Sequence, residues 1–153
     1  MPMIDLTFVR GSLDDQALSR LTDALVTVLL RAERAPDTPF LRDNTWVYLH
    51  PLDAAELSVG GRGPGAPRFR IDLTVFEGAL SQDRKEQLTA DVHAEVCAAA
   101  GIEPQGSRAF HVWTLIHEIP EGNWAGGGKV IYYHQVKGLV TEDIPDERWY
   151  SGC

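Results

Sequence analysis

Cysteine is scarce in this chain: there are two among 153 residues, Cys97 and Cys153. So few cannot build the disulfide framework that small secreted domains depend on. Basic residues are outnumbered as well, 14 Lys and Arg against 22 Asp and Glu, for a formal net charge of −8. No basic run offsets that balance, which argues against nucleic acid or an anionic membrane as partner. Long apolar runs are missing too. The stretch 24–30 is far too short to span a bilayer, and no basic segment followed by an apolar one marks secretion. His93, His111, His117 and His134 share no metal-ligand spacing with Cys97. Gly126-Gly127-Gly128 lacks the Lys-Ser/Thr pair of a phosphate loop and opens no helix, so a hairpin turn is expected there. Cys97 sits among Ala98, Ala99 and Ala100, with nothing nearby to make its thiol reactive. These absences leave the expectation of a soluble, cytoplasmic protein, one domain long.

What the chain does have is a duplication. A shift of 67 residues, which carries Ile4 onto Ile71, overlays the sequence on itself without a gap. Ile4-Asp5-Leu6-Thr7 matches Ile71-Asp72-Leu73-Thr74, and Gly11 and Leu13 match Gly78 and Leu80. Leu21-Thr22 falls on Leu88-Thr89, Trp46 and His50 on Trp113 and His117, and Gly60-Gly61 on Gly127-Gly128. Two copies are too few for a solenoid. They indicate one small unit repeated over residues 2–61 and 69–128, joined by a Gly/Pro-rich linker at 62–68 and followed by an extension from 129 to 153, all in a single domain.

Each unit reads as strand, helix, strand. Ile4, Leu6 and Phe8 alternate with Asp5 and Thr7, and 70–76 does the same. Ser12 is a plausible helix cap, after which Ala17, Leu18, Leu21, Leu25, Val28 and Leu29 recur at helical spacing until Pro36 and Pro39. The second helix is predicted to follow Ser81 and stop near Gly101. Strands are predicted at 45–49 and 110–119, and a further edge strand over 129–136. A single helical crossover makes the strands of each unit parallel. The expected fold is α+β: two tandem βαβ units forming a four-stranded mixed sheet, two antiparallel helices on one face, and a C-terminal edge strand. Trp149 and Tyr150 suggest that the acidic tail docks, against a neighbour's pocket.

One residue carries chemistry by position alone. Pro2 directly follows Met1, and methionine aminopeptidases remove the initiator when so small a residue comes next. The mature chain would start with a secondary amine, able to act as base or acid. Pro2 heading a strand that runs into Gly11, then a helix, a parallel strand and a Gly-rich hairpin, resembles the tautomerase superfamily. The pattern is most specific in Ile71-Asp72-Leu73-Thr74-Val75-Phe76-Glu77-Gly78 and in Ile116-His117-Glu118-Ile119-Pro120-Glu121-Gly122-Asn123-Trp124. It is similar to a fused 4-oxalocrotonate tautomerase, with two units per chain, and covers about residues 2–130. The resemblance implies a cofactor-free homotrimer in which Pro2 shuttles a proton between oxygen and carbon of a 2-hydroxy or 2-oxo acid. Kept protonated, Pro2 would instead suit the family's hydratases and dehalogenases.

The same resemblance exposes departures. The family places an arginine after the turn glycine and another at the start of the second strand. Here those positions are Ser12 and Ala79, and Trp46 and Trp113. A dicarboxylate substrate is therefore disfavoured, and an aryl one such as phenylpyruvate suits the tryptophans better. Trp124 stands where the family has a pocket-lining aromatic, and Trp113 extends that wall or simply packs. Antiparallel pairing of the first strands would bring Phe76 and Glu77 close to Pro2, with Glu77 either orienting the amine or lying in solvent. Arg10 could hold a carboxylate, although the same pairing carries it away from Pro2. Phe69, which matches Pro2 under the repeat, has no free amine, so the second unit holds only a vestigial site flanked by Arg68 and Arg70. Loss of both arginines also fits a trimer that has given up catalysis for binding.

Overall fold

The structure, a computed structural model, describes residues 2–140. Alternation along the first strand, β1 (Met3–Val9), puts Ile4, Leu6 and Phe8 under cover while the residues between them stay partly open. The matching strand of the second unit, β3 (Phe69–Phe76), buries Ile71, Leu73 and Val75 in the same way. These two strands pair antiparallel at the centre of the sheet, with Asp5 opposite Asp72. The outer strands β2 (Trp46–Leu52) and β4 (Val112–Ile119) pair parallel to β1 and β3, giving the order β2-β1-β3-β4. Pro51 can sit in β2 because that strand is an edge, where a missing N–H breaks no ladder.

Two helices of 19 residues each, α1 (Asp15–Glu33) and α3 (Gln82–Ala100), cover one face of the sheet. Leu21, Leu25, Val28 and Leu29 from α1 meet Leu88, Val92 and Val96 from α3 over the buried strand residues, forming one continuous core. The opposite face carries Trp46, Tyr48, Trp113 and Leu115, all exposed. Two His–Asp pairs repeat there, His50–Asp5 at 2.6 Å and His117–Asp72 at 2.8 Å, so the duplication reaches individual side-chain contacts. The turns repeat as well. Gly60-Gly61 closes a bridge from Val59 to Arg62, and Gly127-Gly128 closes the hairpin of β5 (Ala125–Gly126) and β6 (Lys129–Val130). All four glycines have positive φ, as a tight two-residue hairpin demands.

Several boundaries differ from expectation. Asp14, not Ser12, caps α1, its carboxylate accepting from Ala17 N at 2.7 Å. Ser12 instead turns back to the carbonyl of Val9. The first helix stops at Arg34, which takes the left-handed conformation at φ 58° before either proline is reached. Pro39 then starts a helix rather than ending one: α2 (Pro39–Asp43), capped by Thr38, with proline in the first turn where its missing N–H costs nothing. Residues 107–111 form a 3-10 turn, so β4 begins at Val112 rather than 110.

The expected C-terminal edge strand is corrected. Lys129–Val130 is a strand, but it pairs with Ala125–Gly126 in a separate ribbon and adds nothing to the main sheet. The chain then turns into helix α4 (Tyr133–Val140). Glu121 explains the switch: it accepts from Tyr133 N at 3.3 Å and pairs with His134 Nδ1 at 2.7 Å. A carboxylate at a helix start satisfies orphan N–H groups and complements the dipole. The anticipated docking of Trp149 and Tyr150 lies outside the described residues.

Candidate active site

The topology gathers one end of the sheet around the chain start. β1 begins there and its crossover returns α1 to the same end, so Glu33, the last residue of α1, lies beside it. β3 runs antiparallel to β1 with Met3 opposite Thr74, which brings Phe76 to that end and opens α3 there. Pro2, immediately before Met3, is buried.

Aromatic rings wall this end. The ring of Phe76 is buried, with the centroid of Trp124 at 4.9 Å and that of Tyr133 at 5.7 Å. Trp124 is held by its carbonyl, which accepts from Ile131 N at 2.8 Å, and Tyr133 by the Glu121 contact at the start of α4. Glu77 follows Phe76 in the turn, its N–H bonded to Ile119 O at 2.9 Å and its side chain exposed. Thus Pro2, Phe76, Glu77 and Trp124 are brought to one end of the sheet.

Arg10 and Trp113 are not. Arg10 leaves the other end of β1, where it pairs with Asp53 at 2.9 Å in solvent. Trp113 stands opposite Arg70, four residues along β3 from Thr74, which is about 13 Å at strand rise. Its side chain is 64% exposed on the helix-free face. Within one chain Trp113 therefore does not reach Pro2, whereas Trp46, its counterpart, is registered directly against Met3. At the vestigial position Phe69 is buried between β1 and β4. Its flanks have become structural: Arg68 reaches the carbonyls of Ala66 and Pro67 and His111 Nδ1 at 2.8 Å, and Arg70 bonds Asp72 at 2.7 Å. Burial, then the nearby charges of Arg68 and Arg108, hold the His111 imidazole below its ordinary range.

Three residues at the Pro2 end were not singled out from sequence: Glu33, Arg84 and Tyr133. Arg84, in the first turn of α3, donates Nη1 to Ala32 O at 3.0 Å and Nε to Ser81 Oγ at 3.4 Å. Glu33 is partly buried, and burial pushes its carboxyl above the usual range. The positive charges of the amino terminus and of Arg84 oppose that rise. Tyr133 is raised too, first by burial and then by the charge of Glu33. A signal for two of the three was present in the sequence. An acid in the last turn of a predicted helix and a base in the first turn of another both oppose the helix dipole.

Other candidates are weaker. An open groove between α3 and β4 includes Lys85, Thr89, His93, Thr114 and Ile116 but none of the Pro2 cluster. Its Lys85 is already paired with Glu118 at 2.6 Å. Cys97 is buried, and burial raises its thiol. No group of three or more His, Cys, Asp or Glu with metal-binding geometry occurs among the described residues.

Comparison with known proteins bears on the fold. Residues 69–132 match the family model described as tautomerase enzyme. No protein of curated function matches the sequence. Among solved structures, a fused 4-OT in an asymmetric trimer is 18% identical with a TM-score of 0.69, over 84% of this chain and 94% of that one. A member of the cis-3-chloroacrylic acid dehalogenase family is 20% identical with a TM-score of 0.73, over 97% of this chain and 96% of that one. Pt0534, solved after inactivation by 2-oxo-3-pentynoate, is 17% identical with a TM-score of 0.71, over 88% of this chain and 98% of that one. Residues 69–132 thus match the tautomerase family model, and the chain as a whole has the fold of the fused 4-OT structures.

Proposed function

We propose that the protein is a cofactor-independent tautomerase in which the nitrogen of Pro2, freed by removal of Met1, moves a proton between oxygen and carbon of a small 2-oxo acid. The observation that carries this reading is the burial of Pro2 at the end of the sheet walled by Phe76, Trp124 and Tyr133. An α-amine ordinarily titrates near pH 8. Apolar walls disfavour its charged form and favour a neutral base near physiological pH. On an enol such as that of phenylpyruvate, the neutral nitrogen takes the hydroxyl proton as the carbonyl forms. The same proton then goes to the adjacent carbon, and the amine is neutral again. Atoms balance with no cofactor. The aromatic wall suits an aryl group, and the fused 4-OT relatives support a homotrimer.

The direct test is ketonisation of enol phenylpyruvate followed by ultraviolet absorbance, on protein whose loss of Met1 is verified by mass. Pro2→Ala is expected to lose about a hundredfold or more, the range of a positioned acid–base group. Full activity in that variant would sink the reading. Because Pt0534 was captured after inactivation by 2-oxo-3-pentynoate, the same reagent should add one equivalent to Pro2 here.

A second reading has one observation of its own. Glu33 puts a carboxylate at the same end of the sheet, an arrangement that would favour a protonated Pro2 and the hydration or dehalogenation of an unsaturated acid. A Pro2 nitrogen that titrates well above neutrality by NMR would favour it over tautomerisation.

A further inference from the structure

The site contains an unexplained pair of charges. Because α1 and α3 run antiparallel, the end that holds Pro2 shows the last turn of one helix and the first turn of the other. The α3 side already carries the positive end of a helix dipole, and Arg84 adds a full cation. The α1 side carries a negative end, and Glu33 adds an anion. Helix stability argues against both placements. The two are joined through the backbone, since Arg84 Nη1 holds Ala32 O, the carbonyl just before Glu33. Their side chains form no ion pair within 4.0 Å, although the charge of Arg84 is felt at Glu33. A guanidinium has five N–H groups in a rigid fork. The contacts to Ala32 and Ser81 fix its plane through two of them. Beside these two contacts, Nη2 makes no hydrogen bond to a described residue.

We propose that this pair makes the Pro2 site selective for a 2-oxo acid with a single carboxylate and an apolar remainder. Arg84 takes the carboxylate, Phe76, Trp124 and Tyr133 take the remainder, and Glu33 repels a second negative charge. The inference rests on the Pro2 reading for the reaction, but not for the binding. One cation can balance one carboxylate. A second carboxylate would enter a partly desolvated space and would face Glu33, where like charges repel more strongly than in water. Neither residue stands at the turn or strand positions where the sequence suggested looking, which hold Ala79 and Trp113.

Binding of non-reacting probes tests this apart from catalysis. Titration calorimetry on the Met1-processed protein would compare 3-phenylpropanoate with glutarate. The wild type is expected to prefer 3-phenylpropanoate by about tenfold or more. Arg84→Gln should weaken that probe by about tenfold, the range for losing hydrogen bonds to a charged group, and Arg84→Lys by less. Glu33→Gln should narrow the preference over glutarate by about tenfold. Wild type that binds neither probe, Arg84 variants that bind as wild type, or a preference untouched by Glu33→Gln would each overturn the proposal. Activity that survives Pro2→Ala would overturn the catalytic reading while leaving this one standing.

Discussion

Glu33 ionises at a cost. Its carboxyl is raised from the ordinary 4.5 chiefly by burial, so the folded chain holds that proton more tightly than the unfolded one. Between the unfolded and folded values the native state binds more protons, and stability falls as pH rises through that window. The penalty is fully present above the folded value and absent below 4.5, where both states are protonated. Glu33→Gln removes the charge and keeps the shape. It is expected to raise the melting temperature at pH 7 to 8, with the gain vanishing near pH 4. A variant that melts as the wild type does at pH 7 would show that burial of Glu33 is not felt as strain. A residue retained against its own stability is what a binding or catalytic role predicts. At this scale the sequence was half legible. Pro2 declared itself through position, and Phe76 and Trp124 through motif. Arg84 and Glu33 did not, because their nearness comes from two helices that are far apart in the chain.

Elements were read well where periodicity is strong and less well where caps decide. β1 and α3 fall where alternation, Ser81 and Gly101 put them, since the signals are local. The start of α1 was misread because Ser12 and Asp14 are both good caps. Only the turn at Gly11 decides between them, by folding Ser12 back onto Val9. Asp14→Ala should therefore cost about 1 kcal/mol in denaturant unfolding, and Ser12→Ala clearly less as a cap. Equal losses would show that both residues share the cap. The run after Lys129 misled for a different reason. Val130-Ile131-Tyr132-Tyr133 has strand-forming residues, but Glu121 captures the backbone at Tyr133 and starts α4 instead. That contact places Tyr133 beside Phe76, so a misread element hid a site residue.

At the scale of the whole molecule, the sheet leaves one face without helices. Trp46 is 60% exposed and Trp113 64%, with Tyr48 and Leu115 beside them. Large aromatics grouped on an open sheet face mark a contact surface. The trimer proposed above would cover it, and would carry Trp113 toward a neighbour rather than toward its own Pro2. Trp113→Glu is expected to shift the sedimenting species from trimer toward monomer while leaving the helical circular dichroism signal intact. An unchanged trimer would place the interface elsewhere.

The sequence by itself determined the repeat, the βαβ unit and the candidacy of Pro2. Each follows from patterns within a few residues or from one constant shift. Only the tertiary structure decided which side chains Pro2 shares its end of the sheet with. It separated Arg10 and Trp113 from the site and set Arg84 against the backbone of α1. The reason is physical: strand register and helix direction decide which distant ends coincide, and no local pattern records where an arginine in one helix meets the last turn of another.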